Sequence, residues 1–318
     1  MQDTPIVDDG LPEEEPMVFR AESGMPLDRL DKLMAHLIPT HSRSRLQGWI
    51  EKGHVLVNGQ PGKVRQSVRP GDMVLAMPQP APEELAYGPE PVEFEVTASD
   101  THWVVVNKPV GLVTHPGAGN WSGTLLNGLL HRFPELTQVP RAGIVHRLDK
   151  DTSGLMVVAR TEVAQTSVVR QLQARSRGRQ YIALAHGRML DKGTVDQPIG
   201  RDPRVPVRMA VERPIAPKPA VTHYECQRVG QYLGANVSQV LCRLETGRTH
   251  QIRVHLSSLG HPLLGDTLYG GRALGSATRQ MLHAWRLSFE DPASGDTVTV
   301  EAEPPQDMQL VMQEIDWS

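Results

Sequence analysis

Aromatic residues make up only 4% of this chain of 318 residues, so Leu, Val, Ile and Met have to fill its core. Cysteine is scarcer still: Cys226 and Cys242 are the only two. Their spacing matches no CxxC metal pair, and both read as reduced structural thiols. No apolar run approaches the ~18 residues of a membrane span. The first residues are acidic (Asp8, Asp9, Glu13, Glu14, Glu15), unlike a secretory leader. A cytoplasmic location with no membrane partner is expected. There is no GxxxxGK motif followed by Ser or Thr, and no GxGxxG between strand and helix, so nucleotide-cofactor chemistry is unsupported. No His/Cys cluster has zinc spacing.

Net positive charge is also missing, at −3 overall, which argues against a polyanion partner until the charge is divided along the chain. Residues 1–26 carry −6, residues 27–77 carry +4, residues 78–100 carry −6 and the remainder carries +5. Acid is confined to a tail and one connecting segment. Both candidate folded parts are basic, as nucleic acid favours, although mildly basic domains are common for other reasons.

The pattern divides the chain into four. Residues 1–20 read as a disordered acidic tail. Residues 21–77 read as a small αα–β module. In it Leu27, Leu30, Leu33, Met34 and Leu37 recur at helical spacing, and Pro39 ends that helix. Ser42 is a candidate N-cap for a second helix, and Asn58-Gly59 is a hairpin turn. Val64 and Val68 suggest a further strand. Residues 78–91 hold five prolines (Pro78, Pro80, Pro82, Pro89, Pro91) and read as a semi-rigid linker. From 92 to 318 short strands dominate, at Val104–Val106, Met156–Ala159, Tyr181–Leu184 and Val240–Leu244. Helices are expected over 161–175 and 249–259, and a hairpin around Pro292–Asp296. Strand and helix do not alternate regularly, so the expected class is α+β with a mixed, largely antiparallel sheet.

Two constellations could carry chemistry. His146-Arg147-Leu148-Asp149-Lys150-Asp151-Thr152-Ser153-Gly154 crowds two acids and three bases into a loop feeding a buried strand, where catalytic groups concentrate. A salt-bridged surface turn would look the same. Gly247-Arg248-Thr249-His250-Gln251-Ile252-Arg253 ends a strand and opens a helix. A solvated basic face is the plain alternative. Arg175, Arg177 and Arg179, every second residue before Tyr181, suit phosphates, with the aromatic able to stack on a base. A basic loop before a core Tyr is equally consistent.

Together these motifs resemble the RluA-type pseudouridine synthases. His146-Arg147-Leu148-Asp149 with Thr152-Ser153-Gly154-Leu155 matches the family signature. Asn107-Lys108-Pro109, Gly111-Leu112, Tyr181 and the 247–253 motif fit the same family in the same order. Residues 27–77 resemble an S4 RNA-binding module. Finer features, including His115-Pro116-Gly117, Pro140-Arg141-Ala142-Gly143 and Pro305-Gln306-Asp307-Met308, resemble the branch that acts on the helix 69 hairpin of large-subunit ribosomal RNA. The acidic tail and the proline-rich stretch from Pro214 to Pro219 depart from it.

The resemblance implies an isomerase acting on a flipped-out uridine. It assigns Asp149 as nucleophile, Arg253 as its partner, Tyr181 as the stacking residue and Arg147 as the wedge in the vacated place. His146 and Asp151 are expected to brace the loop. Arg43, Arg45, Lys63, Arg175, Arg177, Arg179 and Arg248 are expected to contact RNA. The expected partner is ribosomal RNA, the expected state a monomer, and no cofactor or metal is expected. The competing readings are a synthase for another ribosomal or transfer RNA site, a non-catalytic S4 ribosome-assembly factor, and a glycosidase, which needs two carboxylates across the sugar.

Overall fold

Alternation in a run of valines sets the architecture of the larger part of the molecule. The computed structural model describes residues 16–78, 86–117, 120–174, 178–205 and 207–318. The acidic tail to Glu15, residues 79–85 of the proline-rich segment, Ala118-Gly119, and Arg175 and Arg177 lie outside the described residues. The chain forms two compact units, residues 1–85 and 86–318.

The first unit contains β1 (Met17–Arg20), α1 (Leu30–Leu37), α2 (Arg43–Glu51), β2 (Val55–Val57), β3 (Gln60–Pro61) and β4 (Met73–Ala76). The strands make an antiparallel sheet in the order β1-β4-β2-β3. Asn58 and Gly59, at φ 51° and 79°, close the β2–β3 hairpin as a type I′ turn requires. Ser42 caps α2 by accepting the Arg45 N–H. Leu30, Leu33, Met34, Leu46, Trp49 and Ile50 face one core with Val55 and Val74. Val64 and Val68 form no strand, contrary to expectation. The carbonyls of Val64 and Gln66 accept the N–H groups of Asp31 and Leu30. This segment therefore satisfies the open donors at the start of α1, and a sheet ladder is unavailable to it.

The second unit opens with β5 (Glu95–Ser99), β6 (Trp103–Lys108), α3 (Leu125–Arg132), β7 (Ser153–Ala159), α4 (Glu162–Ala174) and β8 (Arg179–His186). It continues through β9 (Lys192–Asp196), β10 (Ile199–Arg201), β11 (Met209–Ala210), β12 (Ile215–Lys218), β13 (Val221–Tyr232) and β14 (Ala235–Leu244). It ends with α5 (Gln251–Ser258), β15 (Leu282–Glu290), β16 (Thr297–Glu301), α6 (Gln306–Glu314) and β17 (Asp316–Trp317). The main sheet runs β17-β13-β14-β8-β15-β7-β6-β5, with β9 on β13 and β16 on β15. Its pairs are antiparallel except β7–β15. The fold is α+β with a mixed, largely antiparallel sheet, as the strand pattern implies.

Period-two geometry sends successive side chains to opposite faces. Val104, Val106, Met156 and Val158 pack under Leu125, Leu126 and Leu129 of α3. Val105, Leu155 and Val157 pack against Val168 of α4 and Phe289. Each such side chain contributes about 1.5–3 kcal/mol by leaving water. Both faces of β6 and β7 are thus covered, and the loop entering β7 starts from an immobile base. Gly154 (φ 117°) lies where a Cβ would sit 2.3 Å from the Ala284 carbonyl oxygen. Only glycine lets β7 and β15 run side by side there. The stretch from Pro214 to Pro219 supplies the edge strand β12 of a separate three-stranded sheet, β11-β10-β12.

Candidate active site

Four consecutive carbonyls fix the loop before β7. The Leu148 carbonyl accepts the Thr114 hydroxyl at 2.8 Å. The Asp149 carbonyl accepts the Thr152 N–H at 3.1 Å. The Lys150 carbonyl accepts the Gly111 N–H and the Lys108 ammonium, each at 3.0 Å. The Asp151 carbonyl accepts Arg279 Nη1 at 3.0 Å. Lys108 is fully buried and also donates to the carbonyls of Pro109 and Leu112. Burial draws its pKa down to about 7, against the attraction of Asp149 and Asp151. His146 Nε2 accepts the Val157 N–H, and burial holds its pKa near 3, so the imidazole braces the loop as a neutral group.

Held this way, the Asp149 side chain stands at the wall of a cleft of about 740 Å³. Arg253, on the first turn of α5, donates from Nη1 to Asp149 Oδ2 at 3.0 Å. The rest of its guanidinium forms a two-pronged pair with Asp266, at 2.7 Å from Nε and 2.9 Å from Nη2. Burial works against the charge on Arg253, but the bonds and charge of Asp266, and then of Asp149, outweigh it and raise its pKa. The two motifs, 104 residues apart in the chain, therefore meet at one ion pair. The second Asp149 oxygen, Oδ1, has His250 Nε2 as a neighbour at 3.8 Å, too far for a hydrogen bond.

Tyr181 lies on β8 with 4% of its surface exposed and lines the cleft. Burial pushes its phenol pKa up, which keeps the ring neutral. Arg147 is exposed at the rim. His115 also lines the cleft, and burial, with Arg147 and Arg141 nearby, lowers it to about 4. The described cleft residues include five arginines (Arg141, Arg147, Arg179, Arg248, Arg253) against Asp149 and Glu245. That sign suits a phosphate backbone.

Of the expected RNA contacts, Arg179 and Arg248 line this cleft. Arg179 begins β8, is buried and lies against Gly247. Arg248 reaches the Pro219 carbonyl from the exposed edge of the cleft. In the first unit Arg43 is tied to Asp31, Arg45 lies over the Trp49 ring and Lys63 is exposed. Thr249 and His250 precede α5 instead of opening it, because His250 adopts the left-handed conformation (φ 56°, ψ 22°).

Asp266 and Tyr269 escaped the reading of the sequence. A lone carboxylate in Leu263-Leu264-Gly265-Asp266, among buried leucines, was the available sign, since a charge in such surroundings needs a partner. Among the described residues no group of three or more His, Cys, Asp or Glu is arranged to hold a metal. No described helix is long and apolar enough to cross a membrane.

Residues 102–258 match the family model described as RNA pseudouridylate synthase, and residues 28–74 match the S4 domain model. Ribosomal large subunit pseudouridine synthase D of Neisseria meningitidis serogroup B is 50% identical over 293 residues, spanning 88% of this chain and 76% of that protein. The protein of the same name from Nitrosomonas europaea is 47% identical over 295 residues, 90% of this chain and 84% of that one. Among solved structures, human RNA pseudouridylate synthase domain containing 1 superposes with a TM-score of 0.58 at 29% identity, covering 76% of this chain and 92% of its own. Human RNA pseudouridylate synthase domain containing 4 shares the fold, with a TM-score of 0.55 at 24% identity over 70% of this chain and 94% of its own.

Proposed function

The chain belongs to the RNA pseudouridylate synthase family and carries an S4 domain, and from that membership we propose that it converts uridines of large-subunit ribosomal RNA to pseudouridine with Asp149 as nucleophile. The single observation that carries the residue assignment is the ion pair between Asp149 and Arg253 in the arginine-lined cleft.

The reaction breaks the N1–C1′ bond and forms a C5–C1′ bond. C5 loses a proton and N1 gains one, so atoms and electrons balance without a redox partner. A carboxylate acting at the sugar divides the exchange into two easier steps. Asp149 has the required form: one oxygen is held by Arg253, and the other has no hydrogen bond among the described residues. Arg253 keeps its charge through Asp266 and steadies the carboxylate as the base departs. The sugar carbon is out of reach in a stacked helix, so the target nucleotide has to swing out. Tyr181 then offers its ring to the uracil, and Arg147 has the exposure and the planar guanidinium to fill the vacated stack. The other cleft arginines and the S4 domain bind backbone phosphates, which sets register without reading sequence. The motifs shared with the large-subunit branch favour the helix 69 hairpin as target, and the protein acts as a monomer.

Mapping pseudouridines in ribosomal and transfer RNA from cells with and without this protein tests the reading. Loss of positions in the helix 69 hairpin is expected. Loss only in transfer RNA would replace the substrate, and an unchanged map would refute the activity.

A further inference from the structure

Tyr269 has no place in the mechanism above, yet it is packed against the site on every side. Its hydroxyl accepts the Met209 N–H at 2.8 Å and lies 2.6 Å from His250 Nδ1. Arg253 and Arg208 lie over its ring, their guanidinium carbons 5.0 and 5.4 Å from the centroid. The His250 ring meets it edge-on at 5.5 Å. His250 is the one residue of the 247–253 motif with a left-handed backbone, a conformation uncommon for a side chain of its kind. That backbone aims the imidazole back from the helix start towards Asp149.

The direction of the hydrogen bonds fixes the tautomer. The Tyr269 oxygen already accepts from Met209, and its only acceptor among the described residues is His250 Nδ1. The hydroxyl therefore donates to Nδ1, and in a neutral imidazole the remaining proton sits on Nε2. Burial lowers the His250 pKa, with Asp149 opposing, so the neutral form prevails. The Nε2–H is the group 3.8 Å from Asp149 Oδ1. Catalytic hydrogen bonds are often long in the free enzyme and tighten in the substrate complex. A closure of about 1 Å would bring this one into range.

We propose that His250, locked as its Nε2–H tautomer by Tyr269, is a positioning residue that fixes the Asp149 carboxylate through the oxygen Arg253 does not hold. Arg253 binds Oδ2 and His250 steers Oδ1, so the carboxylate cannot rotate and one lone pair stays turned to the cleft. This inference rests on the pseudouridine synthase reading and assigns a role to a residue pair that the reading leaves idle.

The test uses the full chain and a transcript of large-subunit ribosomal RNA, with single-turnover rate and RNA affinity measured separately. His250→Asn tolerates the left-handed backbone and still offers Tyr269 an acceptor, but it cannot reach Asp149. It is expected to lower the rate roughly 10- to 100-fold, the scale of a lost hydrogen bond to a charged group, with RNA affinity unchanged. His250→Gln carries an N–H to about the Nε2 position and is expected to recover part of the loss. A merely structural role predicts the reverse order, because Asn suits the backbone better. Tyr269→Phe is expected to lower the rate roughly fivefold and to add nothing in the His250→Asn background, where no tautomer remains to be fixed. A wild-type rate in His250→Asn, a faster Asn than Gln variant, or additive losses in the double variant would overturn the proposal. No product from the wild type would overturn the functional reading, and this inference with it. Product from the wild type with any of those three results overturns the inference alone.

Discussion

Each unit of this molecule has a carboxylate paired with arginine, and the two are built for opposite ends. In the S4 unit Asp31 is completely buried. Arg29 grips both of its oxygens, and Arg43 and Gln47 crowd Oδ2. Burial pushes its pKa up, but the bonds from Arg29, Gln47 and Arg43 outweigh that and hold it far below the usual carboxylate range. In the catalytic unit Asp149 keeps 17% of its side chain exposed and takes one hydrogen bond from Arg253. Donors surround Asp31 until nothing is left to react. Asp149 is fixed through its backbone, charge-paired on one oxygen and open on the other. A carboxylate's role follows from how many of its lone pairs the fold occupies, and the mere presence of an arginine does not decide it.

Substitutions at the two sites should therefore fail differently. After Asp149 itself, the largest effect is expected at Arg253. Arg253→Met strips Asp149 of its charge partner and should lower the single-turnover rate roughly 100- to 1,000-fold, the scale of losing one preorganised donor. It also leaves the buried Asp266 unpaired, so a fall in melting temperature should accompany the loss. A normal rate in the folded variant would remove Arg253 from the mechanism. Asp31→Ala comes next. It leaves Arg29 and Arg43 without their shared anchor, but both guanidinium groups are part-exposed and water takes up their charge, so the S4 unit should lose about 1.5–3 kcal/mol, the scale of lost hydrogen bonds to a charged group. Hydrogen exchange of the α1 and α2 amides across a denaturant series reads this unit by itself, and a change below about 1 kcal/mol would deny Asp31 its role as a strut.

Acid should separate the units more gently. Burial lowers His146 to about 3, and His115 and His283 to about 4. Unfolded histidines take up protons from about pH 6.5 downward, whereas the folded ones wait until pH 3–4. The catalytic unit should thus lose stability steadily as pH falls through that window. The Asp31 carboxyl is depressed, so its contribution is complete above its unfolded value near 4 and is lost only below it. Hydrogen exchange across pH 7 to 4 should show protection falling first around β7 and β15, with α1 and α2 holding. The opposite order would contradict the assignment of neutral buried imidazoles.

Much of this was legible in advance, for physical reasons. The valine runs of β6 and β7 read as strands because alternation is a local property of the chain. Asp149, Tyr181 and Arg253 stood out through motif resemblance, and the fold brings all three to one cleft. What stayed hidden depends on partners distant in sequence. Arg43 reads as a free cation until Asp31 is seen twelve residues back, taking its guanidinium. Val64 looks like strand until its carbonyl is found capping α1. Asp266 and Tyr269 acquire meaning only when α5 and the residue before it lay Arg253 and His250 against them.

The central claim is that the open carboxylate of Asp149 performs the chemistry while the rest of the site merely holds it. Asp149→Asn keeps the shape and the backbone bonds of the loop but removes the charge. Purified wild type and variant, each saturating the same large-subunit ribosomal RNA transcript in a single turnover, should bind RNA equally and melt alike. The wild type should convert its target to pseudouridine, and the variant should fall by about 10⁴-fold or more, the scale seen when a reacting group is removed. Conversion by the Asn variant at the wild-type rate would contradict the account.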